Sequence, residues 1–266
     1  ALDDKVVRNL PTEDVLSAKV NWQQPDGKTT LLAEKRKSFD DYTPLLVEHE
    51  QRIDNRLSLH FALGSQLPSQ ASLPLRVAGM KNEAMLGIRY RPTRMDRIVI
   101  EHRQADYALQ SGGKLGNGNQ TAVTLAHTYR QEARDLEFSA FWTNNQFERK
   151  PELSGFSQKD LGVLRYFPDN FTPGPGFFLP DSFNFYGLRV STDMRYEQEY
   201  TRAIRPFASL ASTWHSQLGG GYDIRLGVAG SVLGADHFAL NWGIAKSGMQ
   251  TSGLTRELLF TYRIHY

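Results

Sequence analysis

The sequence predicts an all-β fold, namely a transmembrane antiparallel β-barrel of the bacterial outer-membrane type with about 14–16 strands, about 16 being favoured. Three observations predict it. Apolar and polar residues alternate along nearly the whole chain. The alternating segments are about 10–12 residues long, which is the length that a tilted strand needs to cross a bilayer. Tight turns and long loops alternate between these segments, as they do between the two ends of such barrels.

The composition is consistent with this class and excludes several others. The chain has 266 residues, and no stretch approaches the ~18 consecutive apolar residues of a membrane helix. Its mean hydropathy of -0.47 is compatible with strands that have one polar face. The net charge is only +2 with both signs interleaved, which argues against a nucleic-acid partner. There is no cysteine, so neither disulfides nor thiolate metal ligands are expected.

The alternation is clearest in the last strand. Its apolar and aromatic face consists of Leu258, Phe260, Tyr262, Ile264 and Tyr266, and the residues between them are mostly polar. A terminal aromatic residue preceded by alternate hydrophobic residues resembles the C-terminal signal that the barrel-assembly machinery reads. The resemblance implies that this machinery is a partner.

About 13 segments share this pattern, and it is weakest over 28–38, 44–54 and 203–214. Bacterial single-chain barrels have even strand numbers, so at least one further strand is expected before the segment that starts near Leu16. Residues 3–10 are one source, and strands upstream of this chain are another. We therefore divide the chain into an N-terminal segment or first strand, 1–14, and a barrel, 15–266.

The connections fall into two groups. Tight connections are predicted at 24–27, 54–55, 92–95, 132–135 and 234–235. Long connections are predicted at 67–79, 110–119, 149–182, 215–221 and 246–253. With Tyr266 at the periplasmic face, every long loop falls on the outside of the cell, as in other barrels of this type.

The polar face of each strand is expected to line the lumen, where it would form the path of a transported polymer. The charged residues on that face lean basic but include both signs. They are Arg89, Arg91, Arg97, Glu101, Arg103, Arg130, Glu137, Arg189, Asp193, Arg195, Arg205, Asp223, Arg225, Glu257 and Arg263. For any single arginine, pairing with a carboxylate on a neighbouring strand is favoured over contact with a ligand.

The connection 149–182 is too long for a simple loop, and it combines a glycine-proline run with apolar residues. It is either a folded constriction that gates the lumen or a mobile surface loop. The candidate gating residues are Arg165, Tyr166, Phe167, Asp169, Phe177 and Phe178.

Other folds and chemistries fit less well. A soluble β-sandwich rarely has Arg or Glu on nearly every strand while its other face stays so aromatic. The histidines are scattered without metal-ligand spacing, so no metal and no cofactor is expected. Ser231 and His237 flank one turn, but Ser231 is not in a Gly-x-Ser-x-Gly elbow. No enzymatic activity is expected.

The stretch from Phe178 to Trp242 is more specific. It contains Phe-Leu-Pro-Asp at 178–181, Tyr-Thr-Arg-Ala-Ile-Arg-Pro-Phe at 200–207 and Gly-Val-Ala-Gly-Ser-Val-Leu-Gly-Ala-Asp-His at 227–237. These segments resemble the C-terminal barrels of PelB-like exopolysaccharide-export proteins, which carry tetratricopeptide repeats. Export porins for poly-N-acetylglucosamine and cellulose are similar in organisation.

The resemblance implies a 16-stranded barrel in the bacterial outer membrane that exports a biofilm-type exopolysaccharide. It also implies a preceding periplasmic repeat domain and a lipoprotein as partners, besides the polymer and the lipid bilayer. A surface receptor, such as a bacteriophage-adsorption barrel, is the alternative from a different class. An outer-membrane enzyme is the third.

Overall fold

A computed structural model describes residues 12–131, 134–150, 157–166, 175–234, 236–246 and 254–264. These residues form one antiparallel sheet, in which thirteen strands make a continuous path and a two-residue strand pairs at its side. The all-β antiparallel architecture is therefore confirmed, and the number of long strands equals the number of alternating segments read from the sequence.

Each strand of the path pairs with the next one along the chain, which is the up-and-down order of outer-membrane barrels. The long strands are β1 (Asp14–Gln24), β2 (Gly27–Lys37), β4 (Leu45–Arg52), β5 (Leu57–Pro68), β6 (Gly79–Tyr90), β7 (Asp96–Leu109), β8 (Lys114–Gln131), β9 (Arg134–Arg149), β10 (Phe183–Thr192), β11 (Arg205–His215), β12 (Gly219–Gly230), β13 (Asp236–Lys246) and β14 (Leu254–Ile264). The short β3 (Asp41–Tyr42) pairs with β2. Between β1 and β14, the described residues form no pairing.

The outer face of the sheet is apolar and exposed. Leu188 is 66% exposed and Leu210 is 56% exposed, although both lie in the middle of their strands. Trp142, Tyr186 and Trp214 are exposed partners in register on three adjacent strands. A continuous apolar face with a row of aromatic residues suits a lipid bilayer and its interface.

The inner face carries the polar residues that the alternation assigned to the lumen. Small side chains let neighbouring wall residues approach, and Ala126, Ala211 and Ala229 are buried there. Phe207 on β11 is also buried, because Gly227 on the neighbouring strand leaves room for its ring.

The two ends of the sheet differ. We call the end where β1 turns into β2 the turn end, and the opposite end the loop end. Two connections predicted to be long, 110–119 and 215–221, are short, because β7 and β8 are joined by only 110–113 and β11 and β12 by only 216–218. The strands continue instead, and β8 reaches 18 residues.

A long connection lies where only tight turns were predicted. The segment Asp193–Ile204 joins β10 to β11 at the turn end and contains the 3-10 helix Met194–Glu197. The assignment of Asp193 and Arg195 to the strand wall is therefore wrong. The strand ends at Thr192 because Asp193 adopts a left-handed conformation, with φ of 55°.

The remaining helices lie at the loop end. They are α1 (Leu73–Ala78), α2 (Gln158–Leu161), α3 (Pro175–Phe178) and the 3-10 helix Gly162–Tyr166. Within the described parts of the chain, none of the helices is both long and apolar enough to cross a membrane.

Candidate functional site

Ion pairs line the inner wall, some between strands and some within one strand. Arg97 faces Ala126 on β8, which in turn faces Ser139 on β9, and this places Glu137 within reach of the arginine. Most of the predicted lumen charges form such pairs. They are Arg89–Glu50 at 3.0 Å, Arg97–Glu137 at 3.2 Å, Arg103–Glu101 at 3.0 Å, Arg225–Asp223 at 3.5 Å and Arg130–Asp135 at 3.7 Å.

Other predicted lumen charges have different surroundings. The guanidinium of Arg189 lies 5.8 Å from the ring centre of Phe141, and that of Arg205 lies 5.9 Å from the ring centre of Tyr196. Arg263 on β14 donates a hydrogen bond of 3.3 Å to the carbonyl of Gln198 in the β10–β11 connection.

Arg91 and Glu257 complete the predicted set. Arg91 lies one residue beyond β6, and its backbone amide still donates a hydrogen bond of 2.7 Å to the carbonyl of Arg56. Glu257 lies on β14 and is exposed. Contact between these charges and a polymer is still a prediction.

Four connections meet at the loop end in one apolar cluster, which we call the loop-end cap. They are the connections β2–β4, β5–β6, β7–β8 and β9–β10. The cap joins α1, the segment 157–166, α3 and the facing ends of β7 and β8. Its buried residues are Leu75, Val77, Ala78, Leu109, Leu115, Val163, Tyr166, Phe178 and Leu179. Phe39, between β2 and β3, packs against it.

Polar contacts tie the cap to distant strands. Ser38, after β2, donates to the side-chain oxygen of Gln110, after β7, at 3.0 Å. Three strands separate β2 from β7, which is about 19 Å along a sheet. The loops must therefore bend inward to meet, so the cap lies over the loop-end mouth. Lys159, in the connection between β9 and β10, contacts Asp40 at 2.5 Å.

Asp160 is the polar centre of the cap. It forms a reciprocal capping box with Ser157 at the start of α2 and accepts hydrogen bonds from the Ser111 hydroxyl at 2.5 Å and the Gly113 amide at 3.2 Å. Burial alone would raise the pKa of this carboxyl, but these donors together hold the pKa below its ordinary value.

The predicted gating residues fall into this cap where the structure describes them. Tyr166 and Phe178 are buried in the cluster, and Phe177 packs against it. The Arg165 guanidinium lies 4.8 Å from the centre of the Tyr166 ring. Phe167 and Asp169 lie outside the described residues, as does Tyr266 of the predicted assembly signal. The described parts of this connection, 157–166 and α3, are folded, and their role as a gate is still a prediction.

The segment Asp193–Ile204, which we call the turn-end segment, lies at the turn-end mouth beside β9 to β14. At one end, the Asp193 carboxylate accepts a hydrogen bond of 3.0 Å from the amide of Asp135 on β9. At the other, the Glu197 carboxylate accepts a hydrogen bond of 2.7 Å from the Asn241 side chain on β13. The segment thus spans from β9 to β13 and, through Arg263, to β14.

The residues considered for an enzyme are engaged in structural contacts. The Ser231 hydroxyl donates to Asp236 at 2.8 Å, and His237 approaches the carbonyl of Glu197 at 3.5 Å. In the described segments, no three or more His, Cys, Asp or Glu side chains are grouped so that they could hold a metal.

The apolar outer face, the paired charges inside and the up-and-down strand order together define an outer-membrane β-barrel. The chain belongs to a particular family of such barrels, the PelB C-terminal β-barrel domain, whose sequence model matches residues 1–265. The resemblance noted over the C-terminal third therefore extends across the whole chain. No curated protein sequence matches the chain significantly.

Solved structures share the fold. A bacterial polysaccharide outer membrane secretin has a TM-score of 0.66 and 9% identity, covering 96% of this chain and 80% of its own. OccK10 (OpdN) of Pseudomonas aeruginosa has a TM-score of 0.52 and 12% identity, covering 94% and 72%. OccK11 (OpdR) of the same organism has a TM-score of 0.50 and 11% identity, covering 97% and 71%. Identities this low support a common fold.

Proposed function

We propose that the barrel exports an exopolysaccharide through its polar lumen and that the loop-end cap gates the outer mouth. The family supports this, and a polysaccharide secretin shares the fold. The observation that carries the gating proposal is the single apolar cluster that holds four connections over the mouth. A lumen wall of paired charges suits passage of a hydrated chain, because it offers many hydrogen-bonding groups but few free charges.

The test is single-channel conductance in a planar bilayer. The intact protein is compared with a variant that lacks residues 152–178, which removes α2, the following 3-10 helix and α3. We expect low conductance that rises sharply on deletion, because the cap loses Val163, Tyr166 and Phe178 from its buried cluster. Leu188→Ala on the lipid face is the control and should conduct as the intact protein does.

The alternative functions have distinct outcomes. If both forms insert folded but neither conducts, the export proposal is wrong and a receptor barrel, such as one for bacteriophage adsorption, takes its place. Covalent labelling of the barrel by a serine-directed inhibitor would instead indicate an enzyme.

The proposal also includes how the barrel is assembled and which partners supply the polymer. On β14, the outward residues Leu258, Phe260, Tyr262 and Ile264 are each 42–71% exposed, which suits recognition by the barrel-assembly machinery. A periplasmic repeat domain and a lipoprotein would deliver the polymer to the turn end.

A further inference from the structure

The outer face of β7, β8 and β9 changes from apolar to polar partway along the strands. Ile100, Val123 and Trp142 lie in register on the three strands and end the apolar part of this face. Three further rows of outward residues follow toward the loop end, and all of them are polar. We call them the polar wall, which consists of His102, Thr121 and Asn144, then Gln104, Asn119 and Gln146, then Asp106, Asn117 and Glu148.

The polar wall is taller than the headgroup layer of a phospholipid. On each strand its last residue lies six positions beyond the last apolar one, as Asp106 does beyond Ile100. Six strand residues span about 20 Å along the strand, or about 15 Å along the membrane normal at the usual tilt. The headgroup layer on each side of a bilayer is only about 5–7 Å thick. With the loop end outside, the wall stands in the thicker sugar layer that glycolipids form on the outer leaflet.

The side chains of the wall suit sugar hydroxyls better than phosphates. Five of the nine are amides, which both donate and accept hydrogen bonds, as hydroxyls do. Asp106 and Glu148, in the row nearest the loop end, add acceptors. None of the nine is a lysine or an arginine, the residues that usually bind phosphate. The wall is therefore expected to contact a carbohydrate through hydrogen bonds.

A groove of about 710 Å³ lies where the wall meets the apolar outer face of β4 and β5. Its apolar side includes Leu45, Val47 and Leu63, which are 50%, 46% and 65% exposed. A groove with one apolar and one polar side suits an amphipathic molecule. Its polar side includes Asn82 on β6 and five residues of the wall, which are Gln104, Asp106, Asn117, Asn119 and Glu148.

A β-bulge in β5 fixes one polar group of the groove. The register between β5 and β6 shifts between Gly64 and Leu67, and Gln66 adopts a left-handed conformation with φ of 53°. The Gln66 amide and the Ser65 hydroxyl both donate to the side-chain oxygen of Asn82, at 2.9 and 3.3 Å. The Asn82 amide group is thus oriented before a ligand arrives, which lowers the entropic cost of binding.

We propose that the groove and the polar wall bind lipopolysaccharide, the glycolipid of the outer leaflet, through its saccharide core. The acyl chains lie along Leu45, Val47 and Leu63, and the core sugars hydrogen-bond to the amides of the wall. The inference rests on the proposed function only for the orientation of the loop end toward the outside, and it concerns the outer surface of the barrel.

The test is native mass spectrometry of the purified protein in detergent, with lipid added at increasing concentration. The probes are lipopolysaccharide with a complete core, lipid A, which lacks the core sugars, and phosphatidylglycerol, an anionic lipid without sugar. We expect lipopolysaccharide to bind about tenfold more tightly than either of the other two, because only its core reaches the upper rows of the wall.

Two variants test the two sides of the groove. Gln104→Leu combined with Asn119→Leu keeps the side chains similar in size but removes their hydrogen-bonding groups. It should lower the affinity for lipopolysaccharide about tenfold and leave that for lipid A unchanged. Leu63→Asn should weaken both, because it disturbs the acyl side. Ser212→Leu, a polar-to-apolar change on the outer face of β11, is the control and should change neither.

Equal affinity for lipopolysaccharide and lipid A, or affinity for lipopolysaccharide that survives the double substitution, would overturn the saccharide contact. Phosphatidylglycerol that binds as tightly as lipopolysaccharide would do so as well. Failure of this inference and failure of export are distinguishable. A protein that conducts after removal of the cap but shows no preference for lipopolysaccharide retains the pore and loses the lipid site. A protein with this preference that never conducts retains the lipid site and loses export.

Discussion

Each mouth of the barrel has a chain segment folded at it, and the two segments are held by different kinds of contact. The loop-end cap is an apolar cluster in which Leu75, Val163 and Phe178 are almost fully buried. The turn-end segment is held mainly by polar contacts to β9, β13 and β14. Met194 and Tyr196 add apolar contacts to it, against the cluster around Phe207.

The difference indicates how each mouth would open. An apolar cluster detaches as a unit, because removing one buried side chain leaves a cavity for all its neighbours. A segment held by separate hydrogen bonds and ion pairs weakens in steps, and salt or a single polar substitution changes only part of it. We therefore expect a cooperative outer closure and a graded inner one.

Phe178→Ala should give the largest effect. Truncating a buried phenylalanine costs about 3–5 kcal/mol, which is large against the stability of a cap built from short helices. The main-chain carbonyl of Phe178 accepts a hydrogen bond from the Ser72 hydroxyl, before α1. Because this bond joins α3 to α1, both helices should detach from the cluster together. The measurement is protease cleavage within 157–178 in intact vesicles, with Phe177→Ala as the partly buried comparison. Equal resistance of Phe178→Ala and the parent protein would contradict the cooperative cap.

Asn241→Ala should have an intermediate effect at the other mouth. It removes the donor to the Glu197 carboxylate, a contact to a charged group of about 1.5–3 kcal/mol. We expect more frequent brief openings in single-channel records of a variant already lacking 152–178, while the remaining anchor to β9 keeps the segment in place. Asn241→Asp, which puts two carboxylates together, should open it further. Records unchanged in both variants would place the constriction elsewhere.

The strands and their faces were predictable because apolar and polar residues alternate along each strand, and successive side chains point to opposite faces of the sheet. The Arg97–Glu137 pair depends on the register as well, because Arg97 lies opposite Ala126 and Ala126 lies opposite Ser139. The inward fold of the cap was harder to predict, since the position of Val163 depends on Leu75 and Leu109, which are distant in sequence.

The turn-end segment was missed for a local reason. Arg189 and the odd-numbered residues after it continue the polar alternation beyond the end of β10, so the pattern alone shows no break. The break is the left-handed backbone at Asp193, a residue type that tolerates this conformation better than most. An aspartate within an apparent strand was the one available signal.

Acid should loosen the cap through Asp160. Its pKa is lowered in the folded cap, so the stabilisation is present above the ordinary value of 3.8 and is lost as the pH falls through the lowered value. The cap should therefore stay closed at pH 5 and open only in stronger acid, measured as conductance against pH. Asp160→Asn should remove this dependence and weaken the cap already at pH 7. Opening between pH 5 and 7 in the parent protein would assign the effect to another group.

Ionic strength should give the smallest effect and act mainly at the turn end. Arg195 contacts Asp135 at 3.2 Å with its side chain 43% exposed, and such pairs contribute only about 0–1 kcal/mol because solvent and salt screen them. Raising the salt concentration should therefore shift the open fraction of the variant lacking 152–178 slightly, after correction for bulk conductivity. Arg195→Gln should abolish that shift while leaving the Asn241 contact to Glu197 intact. The cap has an apolar core beside its exposed Lys159–Asp40 pair, so cleavage within 157–178 should respond to salt less than the turn end does. A larger response at the cap than at the turn end would reverse the assignment of apolar and polar closures to the two mouths.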